Sequence, residues 1–219
     1  MADKVDLTKA LDSYRATRGE LRVIDVPPLQ YLAIDGAGDP NTAPAYREAL
    51  EALYPLAYAL KFASKRELGR DYVVPPLEGL WWADDAAAFT TARDKSRWHW
   101  RLLLLVPAWL DAGSVEAATD AVRAKATRAK PEPARLGDIR LEPLDEGLCV
   151  QTLHVGPYDD EGPVLARMHE ERIPAEGLRM RGLHHEVYLS DARRTAPAKL
   201  RTILRQPVER VPRADELQR

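Results

Sequence analysis

The chain has little cysteine, little phenylalanine and no long apolar run. Cys149 is the one cysteine in 219 residues, so no internal disulfide can form and no cysteine-spaced zinc site can be assembled. That usage fits a reducing compartment. A net charge of one sign is missing as well. Thirty-two Lys and Arg against thirty-four Asp and Glu leave -2 at pH 7, too little to draw the chain toward nucleic acid or an anionic membrane. The longest apolar stretch, Leu102 to Trp109, is far shorter than the roughly 20 residues a membrane helix needs. Met1-Ala2-Asp3-Lys4 opens no basic segment followed by an apolar one, so no export signal is expected. P-loop, nucleophile-elbow and zinc-protease motifs are absent, and Gly36-Ala37-Gly38-Asp39 has neither the spacing nor the setting of a dinucleotide loop. These absences predict a cytoplasmic protein without cofactor, membrane partner or direct nucleic-acid partner.

What is present is an apolar share of 45%, enough to build a core in one large domain or in two fused small modules. Leu29 to Ile34 reads as a strand closed by the Gly-rich turn Asp35 to Pro40. From Thr42 to about Leu68 no glycine occurs, and Leu50, Leu53, Tyr54, Ala57, Tyr58 and Phe62 recur at helical spacing, with Pro55 a candidate kink. Leu77 to Ala83 and Trp98 to Val106 read as two more strands. Ser114 to Lys130 predicts a connecting helix capped by Ser114. The first order then recurs: a strand over Gly147 to Val155, a helix over Asp159 to Glu176 capped by Asp159 or Asp160, a strand over Leu183 to Leu189, and a last strand over Leu200 to Gln206 ending at Pro207.

The recurrence extends to residues. Gln30 to Ile34 can be laid over Gln151 to Val155, Leu77, Trp82 and Asp85 over Leu183, Tyr188 and Asp191, and Pro107 over Pro207. The expected fold is therefore α+β: two fused strand-helix-strand-strand modules with pseudo-twofold symmetry and a ligand groove between them. Within a single domain of residues 1–219, module one covers about 20–110, the connecting helix about 114–130 and module two about 137–208.

Strand alternation over Leu183 to Leu189 puts His184, Glu186 and Tyr188 on one face and His185 on the other, with Leu183, Val187 and Leu189 making that second face core-like. If the first face borders a cavity, Glu186 is a carboxylate that can serve as acid, base or cation receptor; the plainer reading is a solvated strand glutamate. Adjacent His184 and His185 point apart and cannot share a metal ion, and His99, His154 and His169 stand alone, so no metal is expected. Trp81 and Trp82 must take opposite faces of their strand, while Trp98 and Trp100 share one. Such indoles, with Tyr54 and Tyr58 one helical turn apart, suit flat aromatic or cationic ligands, or else simply pack in a core. Tyr158, between a strand and a helix, is placed to overhang a cavity.

Several segments together carry a family resemblance. They are Val26-Pro27-Pro28-Leu29, Asp35-Gly36 to Asp39-Pro40, Leu53-Tyr54 to Phe62, and Pro76-Leu77-Glu78-Gly79-Leu80-Trp81-Trp82 in the first half. In the second they are His154-Val155-Gly156-Pro157-Tyr158-Asp159-Asp160-Glu161, His184 to Asp191, and Thr202 to Pro207. On these the chain resembles the GyrI-like small-molecule-binding proteins, in particular the stand-alone subfamily related to cyclopropanoid cyclopropyl hydrolases. The resemblance implies the two-module fold, a groove that takes bulky aromatic or cationic drugs, and a pocket glutamate matched by Glu186. For the hydrolase subfamily it further implies an aromatic cage, drawn here from Trp81, Trp82, Trp98, Trp100, Tyr158 and Tyr188, in which water opens a cyclopropane ring. Under that reading Glu186 and Tyr158 are catalytic, and Tyr54, Tyr58, Trp81, Trp82, Trp98, Trp100, His184 and Tyr188 bind ligand. Two further readings stand beside it: a binder that only sequesters or senses drugs, and a protein-interaction module acting on gyrase. Ala192, where the family pattern has proline, and Arg101 depart from it.

Overall fold

In a computed structural model that describes residues 4–85 and 94–211, nine strands form: β1 (Arg22–Val26), β2 (Leu29–Ala37), β3 (Glu78–Trp82), β4 (His99–Val106), β5 (Arg140–Leu144), β6 (Gly147–Val155), β7 (Leu178–Met180), β8 (His184–Tyr188) and β9 (Arg201–Arg210). The reading of the N-terminus rests partly on residues 1–3, which lie outside those described. The α+β class expected from the sequence is what forms. Two compact units interleave along the chain: Met1–Asp12 with Pro28–Leu144, and Ser13–Pro27 with Asp145–Arg219. Thus β1 belongs with the later strands and β5 with the earlier ones.

In the first unit the sheet order is β3-β4-β2-β5, antiparallel throughout. After a single helical turn α1 (Leu7–Ala10), its main helix is α2 (Pro44–Glu67). Ala49, Ala52, Leu53, Leu56, Ala57 and Leu60 recur at helical spacing and make its buried stripe. Each fully buried leucine there contributes about 2 kcal/mol of apolar transfer. The helix runs on through Pro55. At its end, Lys61 Nζ lies 2.5 Å from Asp71 Oδ1, tying the helix to the following segment. Helix α3 (Ala112–Ala124) packs on α2. It is shorter than expected, and its cap is Asp111, not Ser114: Asp111 Oδ1 accepts from both the Ser114 backbone N–H and its hydroxyl at 2.8 Å. The turn expected at Asp35 to Pro40 begins late, because Asp35, Gly36 and Ala37 still pair with β4.

In the second unit the order is β1-β6-β9-β8, with β7 pairing the far end of β9. Helix α4 starts at Gly162–Ala166, passes through a π-helical turn, Arg167–Arg172, and closes with Ile173–Ala175. Its N-cap residue is Glu161, with no side-chain cap, so neither Asp159 nor Asp160 takes the role expected of it. Met168 and Ile173 pack with Val150, Leu178, Leu204 and Val208 in one core cluster. The last strand does not end at Pro207. It continues to Arg210, with Pro207 paired opposite Cys149.

Each unit thus contains strand, helix, strand, strand in that order. The residue-level repeat does not keep one register through both. Matching Gln30 to Gln151 makes Arg205 the counterpart of Val106, an offset of 99 (205 - 106). Matching Trp82 to Tyr188 makes Thr202 the counterpart of His99, an offset of 103 (202 - 99).

Candidate functional site

Strand β8 pairs with β9 through Glu186↔Leu204 and Tyr188↔Thr202. Leu204 belongs to the cluster under α4, so Glu186, two residues from both His184 and Tyr188, lies on the helix-covered face. The Glu186 side chain is 13% exposed, which departs from a solvated strand glutamate. Its Oε1 lies 3.4 Å from His184 Nε2, near enough for attraction but misaligned for a hydrogen bond. Tyr158 and Tyr188 meet edge to face, ring centroids 5.7 Å apart at 79°. Burial, followed by the charges of Glu186, Glu161 and Asp191, pushes the Tyr158 phenol up to about 12. The face therefore joins a shielded carboxylate, an imidazole and two phenol rings. Chemically it can receive a cation, accept a proton or donate one hydrogen bond from a neutral phenol.

The opposite face of β8 is core-like as expected, with Val187 fully buried, but it also holds a polar network. His185 is wholly buried, its Nδ1 2.9 Å from Glu146 Oε1. Arg205 donates to Glu146 Oε2 at 2.8 Å, to Gln151 Oε1 at 3.1 Å and to the Ser13 carbonyl at 2.6 Å. Desolvation would raise the Glu146 carboxyl, but His185 and Arg205 outweigh it and hold the group at about 2. Sequence reasoning missed this network. Its signal was Arg205, a cation directly after the apolar pair Ile203-Leu204, which if buried requires an acid partner.

The tryptophans of the first unit divide as alternation requires. Trp81 and Trp100 are ladder partners. Tyr46, which sequence reasoning passed over, stacks on Trp81 at 6.4 Å and meets Trp100 edge-on at 5.1 Å, while Trp98 meets Trp81 at 5.8 Å. Trp81 and Trp100 are buried, and Trp98 is half-buried. Trp100 Nε1 donates to the Gly38 carbonyl at 3.3 Å, and its six-membered ring lies where a Cβ on Gly36 would stand. Trp82 turns the other way and stacks on His99 at 5.6 Å. On α2, Tyr54 is half-buried, and Tyr58 is exposed beside Phe62. Arg101 donates to Asp35 at 2.6 Å and also pairs with Glu142. Among the described residues no group of three His, Cys, Asp or Glu side chains is arranged to hold a metal ion. No helix among them is long and apolar enough to cross a membrane.

Residues 108–209 match the model of the GyrI-like small molecule binding domain, a span that contains Glu186, His184, Tyr158 and Tyr188. An uncharacterised conserved protein from Listeria innocua is 36% identical with a TM-score of 0.84, covering 94% of this chain and 100% of its own. A protein described as a hydrolase, also from Listeria innocua, is 34% identical with a TM-score of 0.80 over the same shares. The C-terminal domain of EcmrR shares the fold at 11% identity, TM-score 0.52, covering 88% of this chain and 98% of that one. No curated protein matches the chain.

Proposed function

Because the chain belongs to the GyrI-like small-molecule-binding domain family, we propose that it binds bulky aromatic or cationic xenobiotics at the Glu186 face and hydrolyses those bearing a strained cyclopropane. The observation that carries this reading is the placement of one carboxylate, 13% exposed, beside two edge-to-face phenol rings. A cation entering there replaces water with a fixed charge and aromatic faces, where attraction exceeds that at an open surface. Two structural relatives more than 30% identical are described as hydrolases, which favours catalysis over sequestration. Among the first unit's indoles, half-buried Trp82 offers a ligand more surface than Trp100, which is fully buried.

In the hydrolysis, Glu186 takes a proton from water as the water oxygen bonds to a cyclopropane carbon. The ring carbon–carbon bond breaks, and its electron pair moves to the conjugated carbonyl oxygen. Tyr158 donates a hydrogen bond to that oxygen, which is finally protonated from solvent while Glu186 releases its proton to solvent. The product is the substrate plus one water. A neutral phenol suits this task, and the raised value of Tyr158 keeps it protonated near neutral pH. Detoxification of DNA-alkylating compounds in the cytoplasm is the matching role.

Incubation with a cyclopropane-bearing alkylator, followed by mass analysis, tests the reading. A water adduct above the buffer control supports hydrolysis. Tight binding without adduct leaves a drug-sequestering or sensing protein, in which Glu186 is a cation receptor.

A further inference from the structure

His169 lies in the π-helical turn Arg167–Arg172 of α4. Such turns shift the side chains of a helix by one extra residue and recur at functional sites. Here Met168 enters the core with Val150 and Leu204, while His169 next to it meets the His184 ring edge to face, 6.4 Å between centroids at 82°. Nε2 of His169 and both ring nitrogens of His184 are buried and find no hydrogen-bond partner among the described residues. Leaving a buried nitrogen unpaired forfeits its hydration, and an apolar side chain would avoid that cost. Two adjacent imidazoles with three such nitrogens, beside a shielded carboxylate, are the pattern expected where local stability yields to a site.

We propose that His169 is a positioning residue of the ligand site, fixing through His184 the direction in which the Glu186 carboxylate points. This rests on Glu186 being the ligand-facing group. Burial first, and the charge of His184 second, bring His169 down to about 4, so it stays neutral at physiological pH. His184 Nε2 is the ring atom that faces Glu186 Oε1, at 3.4 Å. Drawn toward Nε2, Oε1 is restrained and Oε2 keeps one direction. His184 is the charged neighbour that acts on His169, while Glu186, Glu161 and Asp191 act on Tyr158.

The test compares His169→Phe, which fills the space, with His169→Gln, which restores a polar atom near Nε2, both in the full chain and both checked by thermal unfolding. In the ligand-free protein, nitrogen-15 NMR of the histidine rings should show His184 shifted in His169→Phe and close to the parent in His169→Gln. Binding of ethidium, a planar aromatic cation, followed by fluorescence titration, should weaken about tenfold in His169→Phe and stay within about twofold of the parent in His169→Gln. Unchanged His184 resonances in His169→Phe, or equal impairment of both variants, overturns the proposal. If His169→Phe does not fold, His169→Met serves in its place. If Glu186→Gln binds ethidium as the parent does, the site reading fails by itself, and the NMR comparison still decides whether His169 governs His184.

Discussion

Nε2 of His184 and Oε1 of Glu186 lie 3.4 Å apart on one face of β8, both side chains shielded from solvent. Removing the charge of Glu186 while keeping its shape should weaken cation binding and abolish water addition. Glu186→Gln is expected to bind ethidium at least tenfold more weakly by fluorescence titration, with unfolding temperature nearly unchanged.

The phenol of Tyr158 stays neutral up to about pH 12 in the fold. Tyr158→Phe keeps the ring packed on Tyr188 and deletes one donor. Removal of a preorganised donor at a developing charge costs about 100-fold in kcat. Turnover should fall on that scale, measured by product mass, with ethidium affinity altered less than threefold.

Glu146 is one of the carboxylates that contribute to acid stability. Its folded value, about 2, is below the ordinary 4.5, so its contribution is complete above about pH 4.5 and is lost as pH falls toward 2. His169 acts in a neighbouring window. Its value is lowered from 6.5 to about 4, so between those values the unfolded chain takes a proton that the folded one refuses, and stability falls. Urea midpoints measured from pH 7 to pH 3 should decline across both windows, and the upper decline should vanish in His169→Gln.

Deleting the Glu146 charge leaves Arg205 buried and unbalanced, since Arg205 is 1% exposed and Glu146 3%. Breaking a buried pair in this way costs about 3 kcal/mol or more. Glu146→Gln should therefore lower the urea midpoint strongly at pH 7. A shift no larger than that of a surface substitution would remove the network from the account of stability.

At Gly36 the constraint is steric. The Trp100 ring occupies the place of a Cβ, and overpacking of this kind costs about 1–3 kcal/mol. Gly36→Ala should destabilise the first unit and change indole fluorescence.

The fold was legible wherever local pattern and tertiary placement agree. The glycine-free, apolar-periodic stretch gave α2 within two residues at either end, and the apolar run at Gly147 to Val155 gave β6 with both boundaries. Strands β1, β5 and β7 were not legible. Arg22–Val26 and Arg140–Leu144 mix charges with apolar residues and are fixed by their ladders to β6 and β2, and three residues suffice for β7 against β9. Alternation placed His184, Glu186 and Tyr188 together, because side-chain parity in a strand is local. It could not supply His169, whose place depends on a π turn, nor Glu146, which reaches Arg205 across 59 positions of sequence. Pro207 was misread as a strand end because a proline halts a strand only where its missing N–H is needed.

The most direct test of the central claim is mass analysis of a cyclopropane-bearing alkylator after incubation with the parent protein and with Glu186→Gln. The expected result is a water adduct with the parent, above buffer, and none above buffer with the variant. An adduct formed equally by both would contradict the role of Glu186, and none from either would contradict hydrolysis itself.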